Sequence, residues 1–338
     1  MSSKCNCDPT PFPSTEKPWT LSLLLTGTHL CQKPITGSMP ADKKNDRKTS
    51  PRPAVSAGGI SELLKECHEN FVEVFVDIAQ AMPGGAVERC EELVVVRTGL
   101  PEATFNPVFA LEPPRRIDGI AEHVNRMLVR TDTPWTLVTT PVTSATLAPL
   151  IAELNLKQFM VLPGMVHANL PDMHSFTLAD LDIHRVTKNE EFRVYNRTCT
   201  EGEGMPPDLF GTRLDQFIAK ANDLPHKMGF YLGYIAGQPV STSARFTTRR
   251  TAGIYLVSTL PSSRRRGYGA ALTARAAMDG IEDGCTISYL QASDMGRPVY
   301  EKMGYRVVEE YQYWVPASAA GEKTPTPTRV FIPDHDTF

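Results

Sequence analysis

The chain has 338 residues, with 35 Lys and Arg against 38 Asp and Glu, a net charge of −3 at pH 7. That near-balance leaves no electrostatic footprint for nucleic acid and no polybasic face for a membrane surface. Apolar residues at 41% exclude a wholly disordered chain, and no apolar run approaches the ~20 residues that span a bilayer. Seven scattered cysteines, an odd number, do not form a disulfide framework. The length fits about two domains, and the expected location is cytoplasmic.

Residues 1–56 differ from the rest. They hold 8 of the 28 prolines and carry +4, leaving −7 on the remainder. A segment this rich in Pro, Ser, Thr and Lys cannot offset its ordering entropy by burial, so disorder is expected. A mitochondrial presequence is the alternative, and the lack of Arg before Lys43 argues against it. Cys5, Cys7 and Cys31 lack the spacing of a zinc site and read as free thiols. No metal is expected.

Order begins near Ile60. Leu63, Leu64, Cys67, Phe71, Val74, Phe75 and Ile78 recur at helical spacing until Met82-Pro83-Gly84-Gly85 ends the helix. Strands are expected at 93–97, 105–111 and 135–139, with a helix over 116–129 between the last two. Ser144 is a plausible N-cap for a helix running to about Leu154. A short strand at 159–162 stops at Pro163-Gly164, and the junction falls near residues 171–174.

The second half opens with a strand at 181–186 and a helix from Glu190 to about Thr198. Residues 201–207 form a loop, and a further helix covers 211–221. Three hairpin-linked strands follow at 229–235, 240–247 and 253–259. A helix at 267–280, a strand at 286–291, a helix at 297–303 and an extended segment at 305–315 complete the order. That order predicts a three-layer α/β fold around a central mixed β-sheet, preceded by a second α/β domain. The expected domains are 57–175 and 176–316, with a loose tail over 317–338.

The chemistry is concentrated in Tyr255–Leu272. A strand runs into a turn holding Arg264, Arg265 and Arg266, and Gly267 and Gly269 then open a helix. A helix N-terminus offers free N–H groups and partial positive charge, and glycines let a phosphate approach the backbone. A pyrophosphate suits this turn. A Walker loop is absent, and Leu272 stands where a dinucleotide fingerprint needs its third glycine.

Arg264-x-x-Gly267-x-Gly269 resembles the [QR]-x-x-G-x-[GA] motif of the GNAT superfamily of N-acetyltransferases. The stretch Leu290–Tyr305, with Tyr300 four residues before Gly304-Tyr305, is similar to the strand, Tyr-bearing helix and Gly-Phe/Tyr signature of the same family. The resemblance covers Leu181 to Val315. It implies acetyl-CoA as co-substrate, with the pyrophosphate on the backbone of Arg265, Arg266, Gly267, Tyr268, Gly269 and Ala270. Arg264 or Arg266 would add charge. The pantetheine would pair with the strand edge at Leu256, Val257 and Ser258, and the Val257 N–H would face the acyl oxygen.

The resemblance also implies Tyr300 as the acid that protonates the CoA sulfur. The central strands hold no Asp or Glu. Glu201 and Glu203 lie where the family borders its acceptor site, so either would serve as base or bind a cationic acceptor. His226 and Tyr255 are further choices. Cys199 and Cys285 read as core thiols. The expected reaction is direct acetyl transfer to the amine of a small molecule, the alternative being a non-catalytic CoA-binding or scaffold protein. No nucleic-acid or membrane partner is expected, and a homodimer is one open assembly. Residues 57–175 lack the R-x-x-G-x-G turn, and their element order suggests a degenerate GNAT-like copy.

Overall fold

A computed structural model describes residues 57–90, 93–114, 120–129, 132–205 and 227–319. The expected disordered segment 1–56, most of the C-terminal tail, the helix at 211–221 and His226 lie outside these residues.

The N-terminal half begins with helix α1 (Ala57–Ala81). A meander of β1 (Ala86–Cys90), β2 (Leu93–Arg97) and β3 (Pro107–Ala110) follows, then α2 (Ile120–Met127) and β4 (Thr136–Thr139). Two short helices, α3 (Pro141–Thr146) and α4 (Ala148–Glu153), lead to β5 (Leu156–His167). The C-terminal half holds β6 (Asp182–Arg185), α5 (Asn189–Glu203), β7 (Met228–Ile235), β8 (Gln238–Thr248) and β9 (Thr251–Thr259). It ends with α6 (Tyr268–Glu282), β10 (Ile287–Gln291), α7 (Arg297–Met303) and β11 (Arg306–Pro316).

Four boundaries depart from expectation. Thr140, not Ser144, caps the helix after β4, accepting from the Thr143 N–H at 3.3 Å. The helix then breaks at Leu147 into two. Helix α5 continues past Thr198 to Glu203, and Gly204 stops it at φ +68°. Strand β5 runs straight through Pro163-Gly164. Its partner β11 bulges between Val307 and Glu309, beside that pair, and a bulge is where a proline fits a ladder. Gly164 is required there, because a Cβ would sit 2.6 Å from the Tyr311 ring.

The two halves repeat one plan. In each, three antiparallel strands lead through a helix to a parallel fourth, and further helix returns a fifth (β1–β5 and β7–β11). All eleven described strands form one sheet, ordered β1-β2-β3-β4-β11-β5-β10-β9-β8-β7-β6. The fifth strands are exchanged. β11 pairs with β4 of the other half, and β5 pairs with β10. β5 and β11 also pair with each other over ten residue pairs, which joins the halves.

Each sheet face carries its own core. One core, across both halves, packs α1 and α5 onto the strands through Phe71, Phe75, Phe109, Phe230, Tyr289 and Tyr311. On the other face α6 and α7 cover the C-terminal strands, and α2 to α4 cover the N-terminal ones. No helix among the described residues is long and apolar enough to cross a membrane.

Helix α1 reaches across the halves through Asn70. Its amide donates to the Phe246 carbonyl (3.0 Å) and the Thr248 hydroxyl (2.9 Å), and Tyr255 donates its hydroxyl to the Asn70 carbonyl oxygen at 2.7 Å. Gly253 leaves the space, since a Cβ there would lie 1.9 Å from Asn70 Oδ1. Asn70→Ala strands several buried polar groups at ~1–3 kcal/mol each. Thermal or urea unfolding should show a loss of at least about 2 kcal/mol.

Candidate active site

The site starts from an irregularity in β9. Thr242 pairs with Ser258 and Ala244 with Tyr255, so β9 carries one residue too many between those pairs. The surplus forms a bulge, with Leu256 held at φ +51°, a left-handed conformation that costs about 1–2 kcal/mol. Thr242 secures it by donating its hydroxyl to the Leu256 carbonyl at 3.0 Å. The bulge turns the Leu256 side chain to the α1 face and that of Val257 to the α6 face.

A second irregularity lies beside it. β9 pairs with β10 from Thr251 to Gly253 and no further, although both strands continue. The strands part and open a cleft of about 440 Å³, lined by the bulge, the 263–270 turn, residues 291–302 and the end of α5. In the N-terminal half the equivalent strands β3 and β4 stay paired over all four residues and do not part.

The turn after β9 forms the anion-facing wall. Gly267 has φ +84°, which favours glycine, and it caps α6. The first helical bond runs from the Ala271 N–H to the Gly267 carbonyl. The amides of Tyr268, Gly269 and Ala270 therefore have no acceptor within the helix. Arg265 and Arg266 are exposed on the same turn. The Arg264 guanidinium is engaged inward, donating to the Thr259 carbonyl (3.1 Å) and the Gly202 carbonyl (2.7 Å). It clamps the turn to the end of α5 rather than standing free for a phosphate.

That clamp positions Glu203. Gly202 allows α5 to touch β9, because a Cβ there would meet Ser258 Oγ at 2.1 Å. Glu203 is thereby buried in the cleft wall, with Oε2 lacking a hydrogen-bond partner. Burial pushes its carboxyl up to about 7, while the Ser258 hydroxyl and the Arg264 charge act the other way. Glu201 is exposed and outside the cleft lining.

Tyr300 enters from α7. Its ring packs edge-on to Tyr305 at 5.8 Å, and its side chain lines the same cleft. Burial, with a smaller contribution from the Glu203 charge, raises its hydroxyl pKa above the ordinary 10. Tyr300 is therefore a protonated donor at neutral pH. Tyr255 donates to Asn70, which occupies its proton. Burial raises the pKa of the Cys199 and Cys285 thiols, the opposite of what a nucleophile needs. Leu256, Val257, Gly267, Tyr268, Gly269 and Ala270 all line the cleft, whereas Ser258 stands behind it against α5.

The sequence reading passed over Gly202 and Gln291. Gln291 lines the cleft with a buried side-chain oxygen that has no partner. Its signal was a polar residue ending a mostly apolar strand. Gly202 had a clearer one, standing between the two candidate carboxylates.

A bulged strand thus parts from its parallel neighbour over a helix N-terminus, and the cleft lies between them. Residues 231–308 match the family model described as an acetyltransferase (GNAT) domain, and the chain carries such a domain. Acetyltransferases of this family use acetyl-CoA. The fold is similar to that of a GCN5-related N-acetyltransferase from Kribbella flavida, 18% identical over 78% of this chain and 97% of that one, with a TM-score of 0.56. A GCN5-related N-acetyltransferase from Sphaerobacter thermophilus is 16% identical over 75% of this chain and 90% of that one, TM-score 0.49. A predicted acetyltransferase with acetyl-CoA from Clostridium acetobutylicum is 18% identical over 37% of this chain and 90% of that one, TM-score 0.32. No curated protein matches the chain by sequence.

Proposed function

We propose that the protein transfers an acetyl group from acetyl-CoA directly to the amine of a small molecule. One observation carries this reading: a buried carboxyl poised near pH 7 lines the same cleft as a protonated tyrosine. A CoA-binding scaffold has no use for that pair. The amides at the start of α6 fit a pyrophosphate, with Arg265 and Arg266 adding charge. Acetyl-CoA, when bound, supplies the activated acyl group and a thiol leaving group. Glu203 takes the proton of the attacking ammonium, so that a neutral amine reacts. The Val257 N–H, on the bulge, donates to the acyl oxygen as negative charge develops. Tyr300 gives its proton to the departing sulfur and takes back the second proton that the nitrogen sheds on becoming an amide. The N-terminal half is a copy without a cofactor turn, a reading supported by the repeated plan and the closed β3–β4 pair.

Two measurements test this. Acetyl-CoA at about 100 times its Kd should stabilise the protein by roughly 2.7 kcal/mol. Gly269→Glu should abolish that gain, because it places a carboxylate at the cradle while its Cβ meets only ordinary contacts, 3.5 Å or more away. Thiol release with acetyl-CoA across a panel of primary amines then tests transfer. Binding without release for every amine would sink the enzyme reading.

A further inference from the structure

A second cavity, of about 60 Å³, lies on the α1 face of the sheet. Its walls come from both halves: Phe75 and Ile78 of α1, Thr104 and Phe105 of the turn before β3, and Phe230 and Ala244 of β7 and β8. It shares Tyr255 and Leu256 with the cleft, so both border the bulge where transfer would occur.

The cavity wall presents no free charge among the described residues. Arg245 contributes from β8, but its guanidinium is paired with Asp283 at 2.5 Å on the opposite face. Lys227, 4.9 Å over the Phe246 ring, is paired with Asp77. One uncharged polar side chain of the wall is left over. The Thr104 hydroxyl is buried in this wall and has no hydrogen-bond partner. The occupant is therefore apolar along its length and can meet one hydrogen bond. At about 10–15 Å³ of such volume per water-sized group, the cavity holds roughly four to six heavy atoms.

We propose that the acceptor is an amine bearing a short aliphatic or thioether chain, seated in this cavity with its nitrogen at the β9 bulge. The inference rests on the acetyltransferase reading above. It gives the N-terminal half a working part in substrate choice, because α1 and the 103–105 turn supply one wall.

The test is kcat/KM for a series from methylamine to hexylamine at fixed acetyl-CoA, beside a series from acetyl- to hexanoyl-CoA with methylamine. The expected result is a rise of about fourfold per methylene in the amine series, up to about five carbons. Ala244→Leu, which fills the cavity, should flatten that rise. Ile78→Phe does the same from the helix side if the first variant fails to fold. Turnover that is independent of amine length overturns this inference and leaves the enzyme reading intact. A rise along the acyl series alone also overturns it, by making the occupant the acyl chain. No turnover with any amine removes the enzyme reading and this inference together.

Discussion

Glu203→Gln should lower turnover by about 10²- to 10⁴-fold, the usual contribution of a positioned general base. The pH profile is the sharper readout. With Glu203 as base, the rate rises as pH passes through about 7, where its carboxyl ionises in the buried site. The Gln variant should lose that rising limb. Tyr300→Phe should lower the rate but keep the limb, because Tyr300 acts as an acid well below its own raised pKa. A Gln variant with the wild-type profile would falsify the assignment of Glu203. Stability supplies an independent check. The folded carboxyl holds its proton up to about 7, while the unfolded chain releases it near the ordinary 4.5. This contribution is therefore full below about 4.5 and is lost as pH rises through 7. Above that pH the Gln variant should be the more stable protein, by up to roughly 3 kcal/mol.

The second large effect concerns the exchanged strands. Residues 176–338 expressed alone should not give a soluble, cooperatively folding monomer. That fragment contains the cleft, yet it lacks β5, so β10 loses a partner and β11 loses both of its neighbours. Unpaired strand edges of this length invite association. Co-expression with residues 57–175 should restore a 1:1 complex with a single unfolding transition. A well-behaved monomeric fragment would show that the halves are separable domains after all. Size-exclusion chromatography and calorimetry distinguish the outcomes.

Much of the C-terminal half was legible because its signals are local. Hairpin turns at Ala236-Gly237 and Arg249-Arg250 separate β-rich runs, and the glycines at 267 and 269 mark a helix start. Elsewhere a local rule met a tertiary one. Pro163-Gly164 reads as a strand end, yet a bulge in β11, over 140 residues away in sequence, makes room for it. Gly202 reads as a helix breaker, yet its role is to let α5 touch Ser258. That misjudgement put Glu203 in a loop, although the residue itself was among the candidates. β1, with the sequence Ala-Val-Glu-Arg-Cys, has no apolar run to announce it. The exchange of β5 and β11 leaves no local trace at all.

The same exchange sets a schedule for synthesis. β11 lies between β4 and β5, both of which leave the ribosome long before it. About 140 residues separate the end of β5 from the start of β11. At ~5–20 residues per second, the first half waits roughly 7 to 30 s for the strand that closes its sheet. Contacts so distant in sequence also slow the final search, because loop closure precedes their reward. Until then two strand edges at the middle of the future sheet stay open. A nascent chain in that state is a natural client for chaperones, and codon-level pauses between residues 168 and 305 should lower its yield more than pauses before residue 156.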